Sequence, residues 1–297
     1  MAPVNKQASA TAKYFHCGVF NHTQLRTDFA ATFKGDAHYN ADSTDDLDML
    51  VKFIENDARV SDVRWMAYLL ATAYWETSHI VHKQVTQIDK KTKKAITRDI
   101  KVWRNLSPVE ETGHGAGRNY FLPVKIKRLD NGTARVTEHD GDQWTIGTDG
   151  VAKKVNNGAV MGAKASGKES KVYADAEGVA LEYYGRGFVQ LTWWQNYAST
   201  GVAISEGLNL LFEPGRALVP AVAYAVMARG MITGEGFANG HKLSSYFHGA
   251  YTNYFDARAM VNGSDHAADI AKIAGKFEAM LLKNKVAPAA AAGAPKP

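Results

Sequence analysis

The stretch from Asp62 to Thr77, DVRWMAYLLATAYWET, constrains the fold more than any other. Trp65, Met66, Leu69, Ala73 and Trp75 give it helical character, but they cover more than one side of the helix. Such a helix has no solvent face of its own, so other elements must surround it. Ser61 is placed to cap it. One acid, Glu76, closes the apolar run between Trp75 and Thr77. Apolar surroundings disfavour the charged form of a carboxyl, which is how a general acid is made at neutral pH.

The chain supplies the elements to surround that helix. Its 297 residues are 45% hydrophobic, enough for a substantial core. A helix is expected from Asp45 to Asn56, with Ser43 and Asp46 as a capping box and Leu47, Leu50, Val51 and Ile54 on one side. Pro220 marks the first turn of another, followed by AVAYAVMARGM. A last helix is expected from His266 to Lys283, with Asp265 as N-cap and Ile270, Ala274, Phe277 and Leu281 as its apolar stripe. Between Val81 and Ala180 the pattern changes to alternating polar and β-branched residues. Asn131-Gly132, Asp140-Gly141, Asp149-Gly150 and Asn157-Gly158 punctuate it, which predicts one or two β-hairpins or a small meander. Residues 1–40 carry no clear pattern, and the tail VAPAAAAGAPKP is expected to be disordered.

Composition narrows the chemistry. Cys17 is the sole cysteine, so no internal disulfide framework or cysteine-based zinc cluster is available, and YFHCGVF predicts a small buried side chain there. A formal charge of +5 suits a polyanionic partner and leaves room for weak contact with an anionic membrane surface. There is no long basic run and no nucleic-acid motif, so nucleic acid is not expected as a partner. GHGAG lacks the Lys-Ser/Thr that would follow in a phosphate-cradling loop. His79 and His82 form no metalloprotease pattern and no nucleophile elbow exists, so neither a metal nor a cofactor is expected. No apolar run reaches the roughly 20 residues that span a bilayer. The N-terminus lacks an apolar signal core, so synthesis in the cytoplasm without a signal peptide is expected.

Two further segments carry candidate chemistry. In SPVEETGHGAGRNYF, residues 107–121, Glu110 and Glu111 precede three glycines that permit tight backbone paths able to aim a carboxylate. In EYYGRGFVQLTWWQNYA, residues 182–198, aromatic rings alternate with Arg186, Gln190, Thr192, Gln195 and Asn196. Rings and amides in that mixture suit sugars, whose faces stack and whose hydroxyls need donors and acceptors.

Together AYLLATAYWETSH, SPVEETGHGAGRNY, EYYGRGFVQLTWWQNYA and DARAMVNGSDHAADIAKIAGKFEAML resemble glycoside hydrolase family 19, in its phage and bacterial wall-lysing branch. The YYGRG-x-x-QLTW pattern is the most specific of the four. The resemblance spans roughly residues 45–80, 107–121 and 182–283, with 82–105 and 122–180 standing as β-rich inserts. It departs at Trp75, where the family commonly has histidine. It implies a mainly α, lysozyme-like fold of the α+β kind: a helical two-lobed body around a substrate cleft, with β-hairpin inserts, occupying residues 41–285 between the N-terminal segment and a tail at 286–297. It implies that Glu76 is the general acid and Glu111, with Glu110 as the alternative, the general base of an inverting hydrolysis. Thr192 would hold the water; Gln190, Asn196 and Asn262 would bond the sugar; Tyr183, Tyr184 and Arg186 would brace the cleft, with Arg186 partnering an acid. The implied activity is a muramidase cutting peptidoglycan glycan strands as a monomer, acting on the wall after release. A chitinase of the same family and a non-catalytic glycan-binding or virion protein are the alternatives.

Overall fold

A computed structural model describes residues 18–156 and 169–286. Cys17, the Asn157-Gly158 turn and the tail from residue 287 lie outside these residues. Of the described residues 44% are helical and 21% strand, and the largest sheet among them has five antiparallel strands. This overturns the expectation of a mainly α, lysozyme-like fold: the architecture is mixed α+β. The alternating segment between residues 124 and 181 does not form isolated hairpins on a helical body but a sheet with its own core. Among the described residues no helix is long and apolar enough to cross a membrane. The chain divides into two compact units, one of residues 1–107, 244–258 and 264–297, the other of residues 108–243 and 259–263.

The first unit is built around the helix Val63–Glu76, in which every residue from Met66 to Tyr74 is buried. Asp62, not Ser61, caps it: the Asp62 carboxylate accepts from the Arg64 amide at 2.8 Å and also pairs with the buried Arg64 guanidinium. An aspartate that serves both cap and counter-ion outcompetes a serine hydroxyl. Helices His22–Phe33, Ser43–Glu55 and Ala267–Asn284 surround it. Phe33 meets Phe29, Tyr74 and Phe277 at 4.9–5.0 Å between ring centres, which is the aromatic heart of this unit. The stripe Ile270, Ala274, Phe277 and Leu281 is fully buried, as its spacing predicts. Its N-cap is His266 in a left-handed conformation rather than Asp265, and no side chain caps the first turn. The capping box at Ser43 also does not form, because the Ser43 hydroxyl accepts instead from the Asn105 amide at 3.3 Å. A hairpin of two ten-residue strands, His79–Ile88 with Ala95–Arg104, belongs to this unit.

His22 bridges the helices His22–Phe33 and Ser43–Glu55, with Nδ1 at 2.5 Å from Asp48 and Nε2 at 2.8 Å from Glu55. Burial works against its protonation, but the Glu55 and Asp48 hydrogen bonds outweigh it and raise its pKa above 6.5. Burial likewise opposes ionisation of Asp48, and the bonds to Lys52 and His22 bring its pKa below 3.8. A raised histidine stabilises the fold fully below its unfolded pKa and ceases to as pH climbs through the folded value. A lowered aspartate stabilises above 3.8 and ceases to as pH falls through its folded value. The clamp is therefore strongest between those limits. Melting temperature should decline as pH rises beyond about 6.5, and His22→Asn should remove that part of the decline. An unchanged pH profile in the variant would show that the bridge does not contribute.

The second unit contains the sheet. Its strands lie in the spatial order Ala152–Asn156, Gln143–Ile146, Ala134–Thr137, Val124–Arg128 and Val179–Leu181, all antiparallel. The first four strands form the predicted meander, turning at Gly132, Gly141 and Gly150, each with positive φ. The fifth strand joins through a long connection that no local signal announces. Ile126, Ala134, Val136 and Ile146 are buried along it. Gly150 packs so closely on the helix Trp194–Ala203 that an added Cβ would lie 2.8 Å from the Ala198 carbonyl. Trp194 Nε1 donates to Glu138 at 2.9 Å and its ring meets Trp144 edge-on at 5.7 Å. The sheet thus anchors the helix that follows the YYGRG segment. Pro220 opens the helix Pro220–Thr233 as predicted, and left-handed Gly234 ends it.

Candidate active site

Glu76 is the last residue of its helix, with a side chain 15% exposed. Its neighbour Thr77 fixes the helix end: its hydroxyl donates to the Ala73 carbonyl at 2.6 Å and accepts from the Leu106 amide at 2.7 Å. Leu106 is buried and held at φ +63°, a conformation branched apolar residues avoid unless their surroundings impose it. Trp75 is wedged against His38 and His266. The apolar run therefore positions the acid, as expected. It does not surround it completely, because Arg258 Nη1 donates directly to Glu76 Oε1. Arg258 is 2% exposed, and its Nε donates to the Asp265 carbonyl at 2.9 Å. The sequence names no role for Arg258; the only signal for it is its place in DARAMVNG.

In the second unit Glu110 and Glu111 are neighbours with different surroundings. Glu110 pairs in register with Arg186 across a two-residue ladder, Val109–Glu110 with Arg186–Gly187. Its carboxylate accepts from the Tyr184 hydroxyl at 2.8 Å and from Arg186 Nε at 3.3 Å, with His114 Nε2 at 3.6 Å. The Tyr184 ring carries the Arg186 guanidinium at 3.6 Å and stacks on His114 at 4.4 Å. Arg186 does partner an acid, and that acid is Glu110.

Glu111 is held by neutral donors instead. Its Oε1 accepts from the Tyr120 hydroxyl at 2.8 Å and its Oε2 from the Gly185 amide at 3.0 Å. Burial and the bond to Glu111 push the Tyr120 phenol up to about 12, so it remains a donor throughout the neutral range. At Gly185 an added Cβ would lie 2.7 Å from Gln190 Oε1 and 3.2 Å from Glu111 Oε2, so the Gln190 amide would have to shift. Tyr120 is a second residue that the sequence leaves without a role, nine positions after Glu111 in GRNYF.

The YYGRG segment supplies the remaining candidates. Tyr183, Tyr184 and Arg186 are buried, so they brace this region from within. Tyr183 donates to the Leu211 carbonyl, and Arg186 Nη1 to the Glu182 carbonyl at 3.0 Å. Gln190 adopts φ +52° and donates through Nε2 to the Val109 and Gly187 carbonyls at 3.2 and 3.3 Å. Thr192 is half-buried, and its carbonyl accepts from Asn196 Nδ2 at 2.9 Å. Trp193 is 40% exposed at φ +68° and meets Tyr120 edge-on at 5.7 Å. Positive φ at Gln190, Trp193 and His114 costs on the order of 1–3 kcal/mol each, and such backbone collects at functional sites. Asn262 is exposed in the turn after Asp256–Met260. Glu111, Tyr120, Gly185, Gln190 and Trp193 thus form one cluster within this unit. Glu76 and Arg258 form the other, in the first unit.

One acidic group could be mistaken for a metal centre. Glu138, Asp140 and Asp142 each offer an oxygen within 4.8 Å of the others. However, Glu138 accepts from Trp194 and Asp142 pairs with Lys154 at 2.7 Å, so the group serves to tie the sheet together.

Compared with known proteins, the chain matches no family model, no curated protein and no solved structure.

Proposed function

We propose that the chain is a glycoside hydrolase acting on peptidoglycan, a muramidase that cuts the β-1,4 link between N-acetylmuramic acid and N-acetylglucosamine. The observation that carries this reading is the different handling of three acids. Glu76 sits at the end of a buried helix with Arg258 against it, Glu111 is aimed by Tyr120 and Gly185, and Glu110 is occupied by Arg186 and Tyr184. The resemblance of YYGRGFVQLTWWQNYA to the family 19 signature supports the same assignment.

In this mechanism Glu76 gives its proton to the glycosidic oxygen as the bond to the anomeric carbon breaks. Glu76 takes up that proton as substrate binds, and the carboxylate left after transfer returns to its pairing with the Arg258 guanidinium. Glu111 removes a proton from a water that attacks the opposite face of the sugar. The configuration at the anomeric carbon inverts. Arg186 keeps Glu110 out of this role, and Tyr120 keeps Glu111 oriented without placing a cation on it. Exposed Trp193 beside Tyr120 offers a ring for a sugar face.

Two suspensions test the substrate. Purified walls should clear and colloidal chitin should release no soluble sugar. Release from chitin with intact walls would move the activity to chitin, and no action on either would overturn the hydrolase reading.

A further inference from the structure

The basic charge of the chain is concentrated in one place. Residues 79–104 carry eight lysines and arginines against two aspartates, a formal +6. The whole chain is +5, so everything else together is −1. Four of these charges sit together in KKTKK, residues 90–94, and the hairpin His79–Ile88 with Ala95–Arg104 brings the other four onto the same ribbon. No residue of either strand is buried. At the tip, Asp89 turns inward and accepts from the Lys91 and Thr92 amides at 2.9 and 2.6 Å, which leaves Lys90, Lys91, Lys93 and Lys94 facing solvent. Among the described residues none of these four forms an ion pair. At the base, Asn40 Nδ2 donates to the Trp103 carbonyl at 2.6 Å and Arg104 pairs with Asp46.

The register also sorts the aliphatic side chains. Val81 opposes Val102, Lys83 opposes Ile100, Val85 opposes Arg98 and Gln87 opposes Ile96. Directly opposed residues share a face, so five aliphatics line one face together with Lys83 and Arg98. On the other face Ile80 is 51% and Ile88 62% exposed. Lys83 and the base contact the rest of the unit, but the tip and outer half are open, and a surface both aliphatic and cationic suits a partner that is anionic and apolar at once.

We infer that this hairpin docks the protein on an anionic lipid surface, with the tip lysines among the headgroups and the aliphatic face at the acyl boundary. Nucleic acid fits less well, because bases stack on exposed aromatic rings and this face has none. Depth is limited to the interface, since a two-stranded ribbon has unpaired backbone groups along both edges that hydrocarbon cannot satisfy. The inference is independent of the glycosidase reading: it concerns residues outside both acid clusters and its readout is binding.

The test is co-sedimentation of the full chain with vesicles of phosphatidylcholine, with and without a quarter phosphatidylglycerol. Binding is expected only to the anionic vesicles and should weaken with salt. Each lysine near such a surface contributes roughly fivefold. Replacing all four tip lysines by glutamine should therefore weaken binding on the order of a hundredfold or more. A second variant, Val85→Ser with Ile100→Ser, should lose vesicle binding but retain binding to soluble polyphosphate. Unchanged melting temperatures would show that both variants fold. The proposal falls if the parent ignores anionic vesicles, if the serine variant binds them like the parent, or if duplex DNA is bound in preference to them.

Discussion

Glu76→Gln should reduce wall lysis by about 10²–10⁴-fold, the range supplied by a positioned general acid. Glutamine keeps the size of the side chain and an oxygen for Arg258 Nη1, but it has no proton to give to a leaving oxygen. Binding to wall fragments should persist. Retained binding without cleavage is the signature that separates a catalytic acid from a residue that merely shapes the protein. A glutamine variant lysing walls at the parental rate would remove Glu76 from the mechanism. It would favour a glycan-binding or virion role in which the acid is incidental.

The second large effect is expected at Arg258. Arg258→Met keeps much of the apolar volume but deletes the counter-charge of Glu76 and the donor to the Asp265 carbonyl. Breaking a buried pair by removing one partner costs about 3–5 kcal/mol. Glu76 keeps 15% exposure, so the lower end, about 3 kcal/mol, is expected here. For a protein of 297 residues that corresponds to a fall in melting temperature of about 5 °C. Activity should fall too, because the carboxylate formed on proton transfer no longer meets a cation. The double variant, Glu76→Gln with Arg258→Met, should lose less stability than the two single losses added together. Additive losses would mean that the two side chains act independently.

The sequence makes local features of this fold readable and leaves relations between distant segments hidden. The Val63–Glu76 helix and the Ala267–Asn284 stripe follow from helical spacing, and the meander turns follow from Asn-Gly and Asp-Gly pairs that need positive φ. Caps were less readable, because several polar residues compete within a few positions. Asp62 wins over Ser61 through its pairing with Arg64. Ser43 is drawn to Asn105, 62 positions away. The fold departs from a mainly α body because Val179–Leu181 closes the sheet from far along the chain and turns hairpins into a five-stranded layer.

The site shows the same division. Glu76, Glu110, Glu111, Arg186 and Gln190 are identifiable from their segments as candidate residues. Which acid faces a cation is a question of pairing: Arg258 reaches Glu76 across 182 positions and Arg186 reaches Glu110 across 76. The hairpin charge is a plain case as well. Lys90, Lys91, Lys93 and Lys94 are visible as a local cluster, but only the register shows that Lys83, Arg98, Lys101 and Arg104 share their ribbon.

The most direct measurement is the identity of the new reducing ends after digestion of purified peptidoglycan, read by borohydride reduction and fragment mass. Muramitol-terminated fragments are expected from the parent protein and none from Glu76→Gln. Glucosaminitol ends, or fragments released without any new reducing end, would contradict a muramidase.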